Sequence, residues 1–253
     1  MQDFIESIIP LAGHLADEAG RIITPYFRGD FTVDSKTDET PVTIADRRVE
    51  ERLRAIIEAQ RPEDGIIGEE FGIKESKNQY DWVFDPIDGT KSFIIGRPTF
   101  GTLIALCENG VPVLGVIDQP IAKERWVGAK GQPTTLNGKA IKTRPCPQLK
   151  EARLASTTPS LIPHHWERLR DASQMLVWGG DCYCYGLITL GGVDAVVETD
   201  LGKHDYAALP PIIEGAGGWM GDWKGKSLTL DSAGDVLAVG DIALKDQILE
   251  ILA

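Results

Sequence analysis

Apolar positions at the start of the chain recur at helical spacing. Phe4, Ile8, Ala12, Leu15, Ala19, Ile22 and Tyr26 predict one amphipathic helix. Asp3 and Glu6 resemble a capping pair at its start. Pro10 predicts either a kink or a later true start, because it removes a backbone N–H. The polar run Asp34-Ser35-Lys36-Thr37-Asp38-Glu39-Thr40 predicts a mobile loop. Thr43 is placed to cap a second helix with Asp46 in its first turn. Val49, Leu53, Ile56 and Ile57 give that helix an apolar face, and Pro62 follows its end.

Strand signals come next. Ile66-Ile67 leads into Gly68-Glu69-Glu70, and Trp82-Val83-Phe84 leads into Asp85. The runs 101–107 and 111–117 flank Glu108-Asn109-Gly110, a hairpin signal, and Asn137-Gly138 marks a second tight turn. Pro145 and Pro147 mark a change of pattern that predicts two lobes, 1–145 and 146–253. In the second lobe Met175 to Trp178 and Val193 to Val197 predict strands. A helix follows Gly179-Gly180-Asp181. Asp205 opens a helical stretch through Ala207, Leu209 and Ile213, which Gly217-Gly218 stops. Val236 to Val239 is a late strand, and Leu244, Ile248 and Leu252 line a final helix. This order implies a layered, mixed α/β (α+β) fold rather than a purely parallel sheet.

Composition narrows the function. The 253 residues carry a net charge of −12, with 42% hydrophobic and 25% charged residues. Nucleic acid is excluded as a partner, since a phosphate backbone needs a basic surface. An anionic membrane surface is a poor fit for the same reason. The start lacks a basic region followed by an apolar one, and no apolar run approaches a membrane span, so the expectation is a cytoplasmic protein. Cys107, Cys146, Cys182 and Cys184 show no convincing zinc spacing and are expected to be reduced thiols.

The chemistry concentrates at Asp85-Pro86-Ile87-Asp88-Gly89-Thr90. A buried strand delivers two carboxylates into a tight turn, with the Ile87 carbonyl between them. Hard oxygen ligands of this kind suit Mg²⁺ or Mn²⁺. Gly89 and Thr90 add N–H groups that an anion can approach. Taken alone, the stretch also reads as an acidic surface turn. Glu69, Asp46 and Asp205 share its pattern, since each lies after an apolar strand run or near a helix start. Carboxylates at strand ends project together at one sheet edge. Glu69, Asp85, Asp88 and Asp205 are enough to hold two divalent ions about 3.5–4 Å apart. As single residues, Asp46 and Asp205 read equally well as helix-terminal acids.

Gly68-Glu69-Glu70, Asp85 to Thr90, Asp205 with Ala207-Ala208, Val42-Thr43-Ile44-Ala45-Asp46 and Gly215-Ala216-Gly217-Gly218 together resemble the inositol monophosphatase family. The resemblance runs through nearly the whole chain. It implies an αβαβα sandwich of the inositol monophosphatase/fructose-1,6-bisphosphatase type and a Mg²⁺-dependent, lithium-sensitive phosphomonoesterase. Two or three ions take part in such a reading, and Mn²⁺ is an alternative metal. It also implies a homodimer acting on a small phosphate monoester. By position it implies Glu69, Asp85, Asp88, Asp205 and the Ile87 carbonyl as metal ligands. Asp46 and Thr90, with Glu69, are the implied catalytic residues, and Asp46 and Thr90 orient the attacking water. Gly89 and Thr90 face the phosphate. Asp88, Gly180, Asp181, Glu198 and Asp205 contact the substrate, and Gly179 falls beside them. A loop residue near Lys36 approaches the site in relatives, though Lys36 also reads as a solvated loop lysine.

The departures from the family pattern point to one branch. Ser92 stands where many relatives have Asn, and His204 where many have Trp before the last aspartate. The run Trp178-Gly179-Gly180-Asp181-Cys182-Tyr183, and 115–120 followed by Arg125-Trp126, are similar to the bacterial histidinol-phosphate phosphatase branch. Histidinol phosphate carries an ammonium and an imidazole, which Asp181 and Glu198 can accept as charge-assisted partners. Asp181 also reads as a helix N-cap. His204 reads either as a pocket residue or as a structural one, and His14 as structural. Rival readings are a phosphatase for inositol 1-phosphate or broad sugar phosphates, and a catalytically silent binding or regulatory protein.

Overall fold

The structure, a computed structural model, describes residues 2–29, 33–35 and 41–253. Helix α1 (Gln2–Ile23) buries Ile5, Ile8, Ala12, Leu15, Ala16, Ala19 and Ile23. Phe4, Ile22 and Tyr26, expected on that stripe, pack only at its margin. Pro10 neither ends the helix nor delays its start. It sits on the exposed face, where water can serve the carbonyl left without an N–H. Asp3 lies inside the first turn rather than ahead of it, and the Glu6 carboxylate accepts from Gln132 Nε2 at 2.9 Å, so the two do not form a capping box.

Strands β1 (Val33–Ser35) and β2 (Pro41–Thr43) pair antiparallel, so part of the expected loop is a short ribbon. Lys36 and residues 37–40 lie outside the described residues, as does the side chain of Thr43, expected to cap the next helix. That helix, α2 (Ile44–Gln60), buries Val49, Leu53, Ile56 and Ile57 as expected.

The next strands are β3 (Gly65–Gly68), β4 (Gly72–Lys74) and β5 (Tyr80–Asp88), followed by the short helix α3 (Thr90–Ile94). After it come β6 (Gly101–Glu108), β7 (Val111–Gln119), β8 (Glu124–Ala129), β9 (Thr135–Leu136) and β10 (Lys139–Ala140). They form one sheet in the order β10-β9-β8-β7-β6-β5-β3-β4, in which only β3 and β5 run parallel. Asn109 (φ 50°) and Gly110 (φ 76°) close the β6–β7 hairpin with the two positive dihedrals that a type I′ turn requires.

The second half supplies β11 (Arg153–Ser156), α4 (Trp166–Ala172), β12 (Met175–Trp178), α5 (Asp181–Ile188), β13 (Ala195–Glu198), α6 (Lys203–Tyr206) and α7 (Leu209–Gly215). It ends with β14 (Trp219–Gly221), β15 (Val236–Val239) and α8 (Ala243–Leu252). Its sheet has the order β12-β11-β13-β15-β14, parallel at β12-β11-β13 and antiparallel beyond. The single helix expected from Asp205 to Ile213 is two short ones. Pro210 and Pro211 lack N–H groups and occupy the opening of α7, where none is needed.

Strand alternation sets the layers. Trp82, Phe84, Ile104 and Leu106 face α1 and α2, while Val83, Leu103, Ala105 and Cys107 face α5 and α7. In the second sheet Ala155, Val196 and Ala238 face that same middle helix layer, and Leu154, Val197 and Leu237 face α4 and α8. The architecture is therefore a mixed α/β sandwich, helix–sheet–helix–sheet–helix. The first sheet uses only residues up to Ala140, and the second only residues from Arg153 onward.

Candidate active site

Asp85 to Asp88 do not form a tight turn. They are the last residues of β5, which continues to Asp88 through an irregularity. Asp85 pairs with Leu103 and Asp88 with Gly101, so three steps on β5 match two on β6. In a regular strand, residues three apart point to opposite faces. The extra residue reverses the phase. Trp82 and Phe84 face the α1/α2 layer, and after the bulge Ile87 does so too. Asp88 therefore joins Asp85 on the opposite side. Pro86, which cannot donate to a ladder, suits the bulge, and the buried Thr102 hydroxyl donates to its carbonyl at 2.8 Å.

On that side the carboxylates meet. Oxygens of Asp85, Asp88 and Asp205 lie within 4.8 Å of one another, and a second group joins Asp85 to Glu69 and His204 within the same distance. Glu69 follows β3, and Asp205 sits in α6 with its Oδ2 accepting from Gly202 N–H at 2.6 Å. His204 Nε2 is 3.5 Å from Asp205 Oδ1. Asp88 Oδ2 accepts the Cys182 N–H of α5 at 2.6 Å. Asp85 Oδ1 is buried with no hydrogen-bond donor among the described residues. Burial, then the charges of Glu69, Asp88, Asp205 and Asp46, push the Asp85 carboxyl well above its ordinary value. Burial and then Asp181 and Asp205 do the same to Asp88. A group of like charges with an orphaned oxygen fits a hard divalent cation, which would supply the missing positive charge.

Asp46 is buried in the first turn of α2, close enough for its charge to act on Asp85. The Thr90 hydroxyl donates to the Ile87 carbonyl at 3.1 Å. Gly89 (φ 79°) precedes α3, and a Cβ there would lie 2.6 Å from Asp181 Cγ. The bulged strand, this glycine and Asp181 are thus packed in direct succession.

A cavity of about 220 Å³ opens beside the cluster. Asp88, Gly89, Thr90, Asp181, Glu198 and Asp205 are among its walls, with Thr157, Tyr185, Leu161, Leu201, Cys182 and Lys91. Larger grooves of about 780 Å³ and 560 Å³ elsewhere include none of the predicted acids. Asp181 is not an N-cap: Gly180 holds that position, and Asp181 is the first helical residue, with φ 48°. Its Oδ2 accepts from Thr99 Oγ1 at 2.8 Å. Glu198 ends β13, buried, accepting from Thr157 N–H at 2.7 Å and Tyr185 O–H at 2.8 Å. Burial raises its carboxyl pKa. Gly179 and Gly180 are not cavity walls, and a Cβ on Gly180 would overlap Cys184 Sγ. His14 is exposed on α1. All four cysteines are free and buried.

Thr99, Thr157 and Tyr185 carry no sequence signal of their own. Their roles come from long-range contacts. His204 was visible only as a departure from a family pattern.

A layered α/β fold with acids gathered beyond parallel strand ends and a small polar cavity beside them defines a class of metal-binding hydrolase folds. The chain belongs to the inositol monophosphatase family, whose profile matches residues 5–253, and it is accordingly a phosphatase by kinship. It is 47% identical over 251 residues to the chloroplastic bifunctional phosphatase IMPL2 of Arabidopsis thaliana, covering 94% of this chain and 72% of that one. It is 38% identical over 237 residues to a histidinol-phosphatase of Chlorobaculum parvum, covering 91% of each. A solved inositol monophosphatase from Zymomonas mobilis superposes with TM-score 0.90 at 50% identity over 98% of both chains. The family acts on small phosphate monoesters and is metal-dependent. Among the described residues no helix is long and apolar enough to cross a membrane.

Proposed function

We propose that this protein is a Mg²⁺-dependent phosphomonoesterase whose substrate is histidinol phosphate. In this reading Glu69, Asp85, Asp88, Asp205 and the Ile87 carbonyl hold the ions. Bound there, a divalent cation neutralises phosphate charge and stabilises the leaving oxygen. The chain's own residues do the positioning. The Thr90 hydroxyl has its proton committed to Ile87 O, so it is left as an acceptor for an O–H of the attacking water. The Asp46 carboxylate is the second acceptor. Gly89 and Thr90 present N–H groups to the phosphate. Phosphoryl transfer needs little else from a protein beyond geometry and charge.

The observation that carries the substrate assignment is Asp181. It lines the same cavity as Asp88 and Asp205, with one oxygen held by Thr99 and the other without a donor among the described residues. A carboxylate held there suits an ammonium or imidazolium at the organic end of the ester. Glu198 helps less than its position suggests, because each of its oxygens already accepts one hydrogen bond. Histidinol-phosphatases among the relatives support the same substrate. The 50% identity to an inositol monophosphatase favours inositol phosphate as a second reading. Phosphate release from both esters, with Mg²⁺ and with chelator, separates them. Histidinol phosphate is expected to be hydrolysed with the higher kcat/KM. Equal or better turnover of inositol 1-phosphate overturns the assignment.

A further inference from the structure

Glu50 is fully buried on α2, one helical turn after Asp46, and no step above uses it. Its side chain crosses to the segment that follows β3. Oε2 accepts the Glu70 N–H at 2.6 Å, and Oε1 accepts the Phe71 N–H at 3.1 Å. Arg54, one turn further along α2, donates Nε to Oε1 at 2.7 Å and also bonds the Gly72 carbonyl. Gly68 lies so close that a Cβ there would overlap the Glu50 carboxylate. The turn that carries Glu69 is therefore gripped on both sides, at Gly68 and at Glu70 to Gly72.

We propose that Glu50 is a positioning residue for the metal site, acting through Glu69. A carboxylate on a hairpin connection is free to swing unless its backbone is fixed. Here a buried acid takes two consecutive N–H groups directly after Glu69, an arrangement that sets the direction of the Glu69 side chain. The same rigid helix bears Asp46. Residues four apart on a helix share a face, so α2 fixes Asp46 and Glu69 relative to one another. Arg54 Nε holds the same carboxylate from its outer side through Oε1 at 2.7 Å. Glu50 needs to touch neither metal nor substrate for this. The proposal rests on Glu69 belonging to the metal site.

The test is Glu50→Gln. The amide keeps one acceptor but presents an NH₂ to one of the two backbone donors and breaks the ion pair with Arg54. Mn²⁺ binding to the folded protein is measured by titration calorimetry, with circular dichroism and thermal unfolding in chelator run in parallel. Loss of an outer partner of a metal ligand typically weakens binding about 10–100-fold, and that weakening is expected here, with kcat recovering at saturating metal. The comparison variant is Trp82→Phe, which removes a buried hydrogen bond to Asp64 from the same sheet. It is expected to lower the melting temperature and leave Mn²⁺ affinity unchanged. If Glu50→Gln does not fold, Arg54→Met loosens the same grip from its outer end, with a smaller loss of affinity expected. Wild-type Mn²⁺ affinity in the folded variant, or an equal loss in Trp82→Phe, overturns the proposal. Absence of Mn²⁺ binding by the unmodified protein would instead remove the metal-site reading on which it rests.

Discussion

Asp64, just before β3, and Asp85, toward the far end of the parallel strand β5, are both almost wholly buried, yet their surroundings are opposite. Asp64 accepts from Arg61 at 2.9 and 3.2 Å, Asn78 at 2.8 Å and Trp82 Nε1 at 3.0 Å. Asp85 has an oxygen with no donor among the described residues, and acids as its neighbours. The buried acids outside the site follow Asp64: Asp194 pairs with Arg144 at 2.5 Å, Asp118 with Arg125 at 2.5 Å, and Glu50 with Arg54. The chain thus has the means to pair a buried carboxylate and applies it outside the site. Within the site it sets carboxylates against one another, which costs stability unless a cation arrives. The contrast separates acids that hold the fold from acids that hold a ligand.

The largest expected effect is on catalysis. Asp88→Asn keeps an oxygen for the Cys182 N–H but removes a charge from the cluster. Turnover should fall roughly 10³-fold or more while the circular dichroism spectrum is unchanged. Near-normal activity would remove Asp88 from the site.

The contrast itself is tested by a matched pair in chelator. Asp64→Asn leaves Arg61 and two neutral donors poorly served, and should lose about 2–4 kcal/mol in denaturant unfolding. Asp85→Asn relieves like-charge repulsion, and should gain on the order of 1 kcal/mol at neutral pH. The same sign for both would erase the distinction.

The pH dependence has a definite direction. Asp85 and Asp88 have carboxyl groups raised above their unfolded values, so the folded protein binds more protons in that window. The metal-free protein is therefore at its most stable below the ordinary carboxylate range, as far as these two groups decide, and loses that contribution as pH rises through their raised values. A divalent ion takes the place of those protons, so the stabilisation that Mg²⁺ confers should grow with pH. Thermal unfolding across pH with and without Mg²⁺ checks both slopes. A metal effect independent of pH would contradict the shifts.

A smaller effect belongs to substrate choice. Asp181→Ala should reduce kcat/KM for histidinol phosphate about 10-fold and leave a neutral aryl phosphate nearly unchanged. Equal losses would make Asp181 a structural partner of Thr99 and nothing more.

Much of the fold was legible because its elements carry local signals. The continuous apolar runs at 82–84 and 101–107 and the Asn109-Gly110 turn required no tertiary knowledge. The bulge at Asp85 to Asp88 was not legible as such. Asp, Pro and Gly in succession read as a turn, and only pairing with β6 shows that the strand continues. Pro210 and Pro211 mark the opening of α7, so the helical stretch from Asp205 divides ahead of them. At the site, the acids were visible because carboxylates after apolar runs are unusual. Thr99, Tyr185 and Glu50 were not, because a threonine, a tyrosine or a helical glutamate acquires meaning only from what folding places against it. Glu50 had one faint signal, its spacing of one turn from Asp46.

The most direct measurement is anomalous diffraction from crystals soaked in Mn²⁺. Strong peaks are expected between Asp85, Asp88 and Asp205, and between Asp85 and Glu69, with the Asp85 oxygen that now lacks a donor turned toward an ion. Ordered crystals with no peak there, and those carboxylates turned away from one another, would contradict the account.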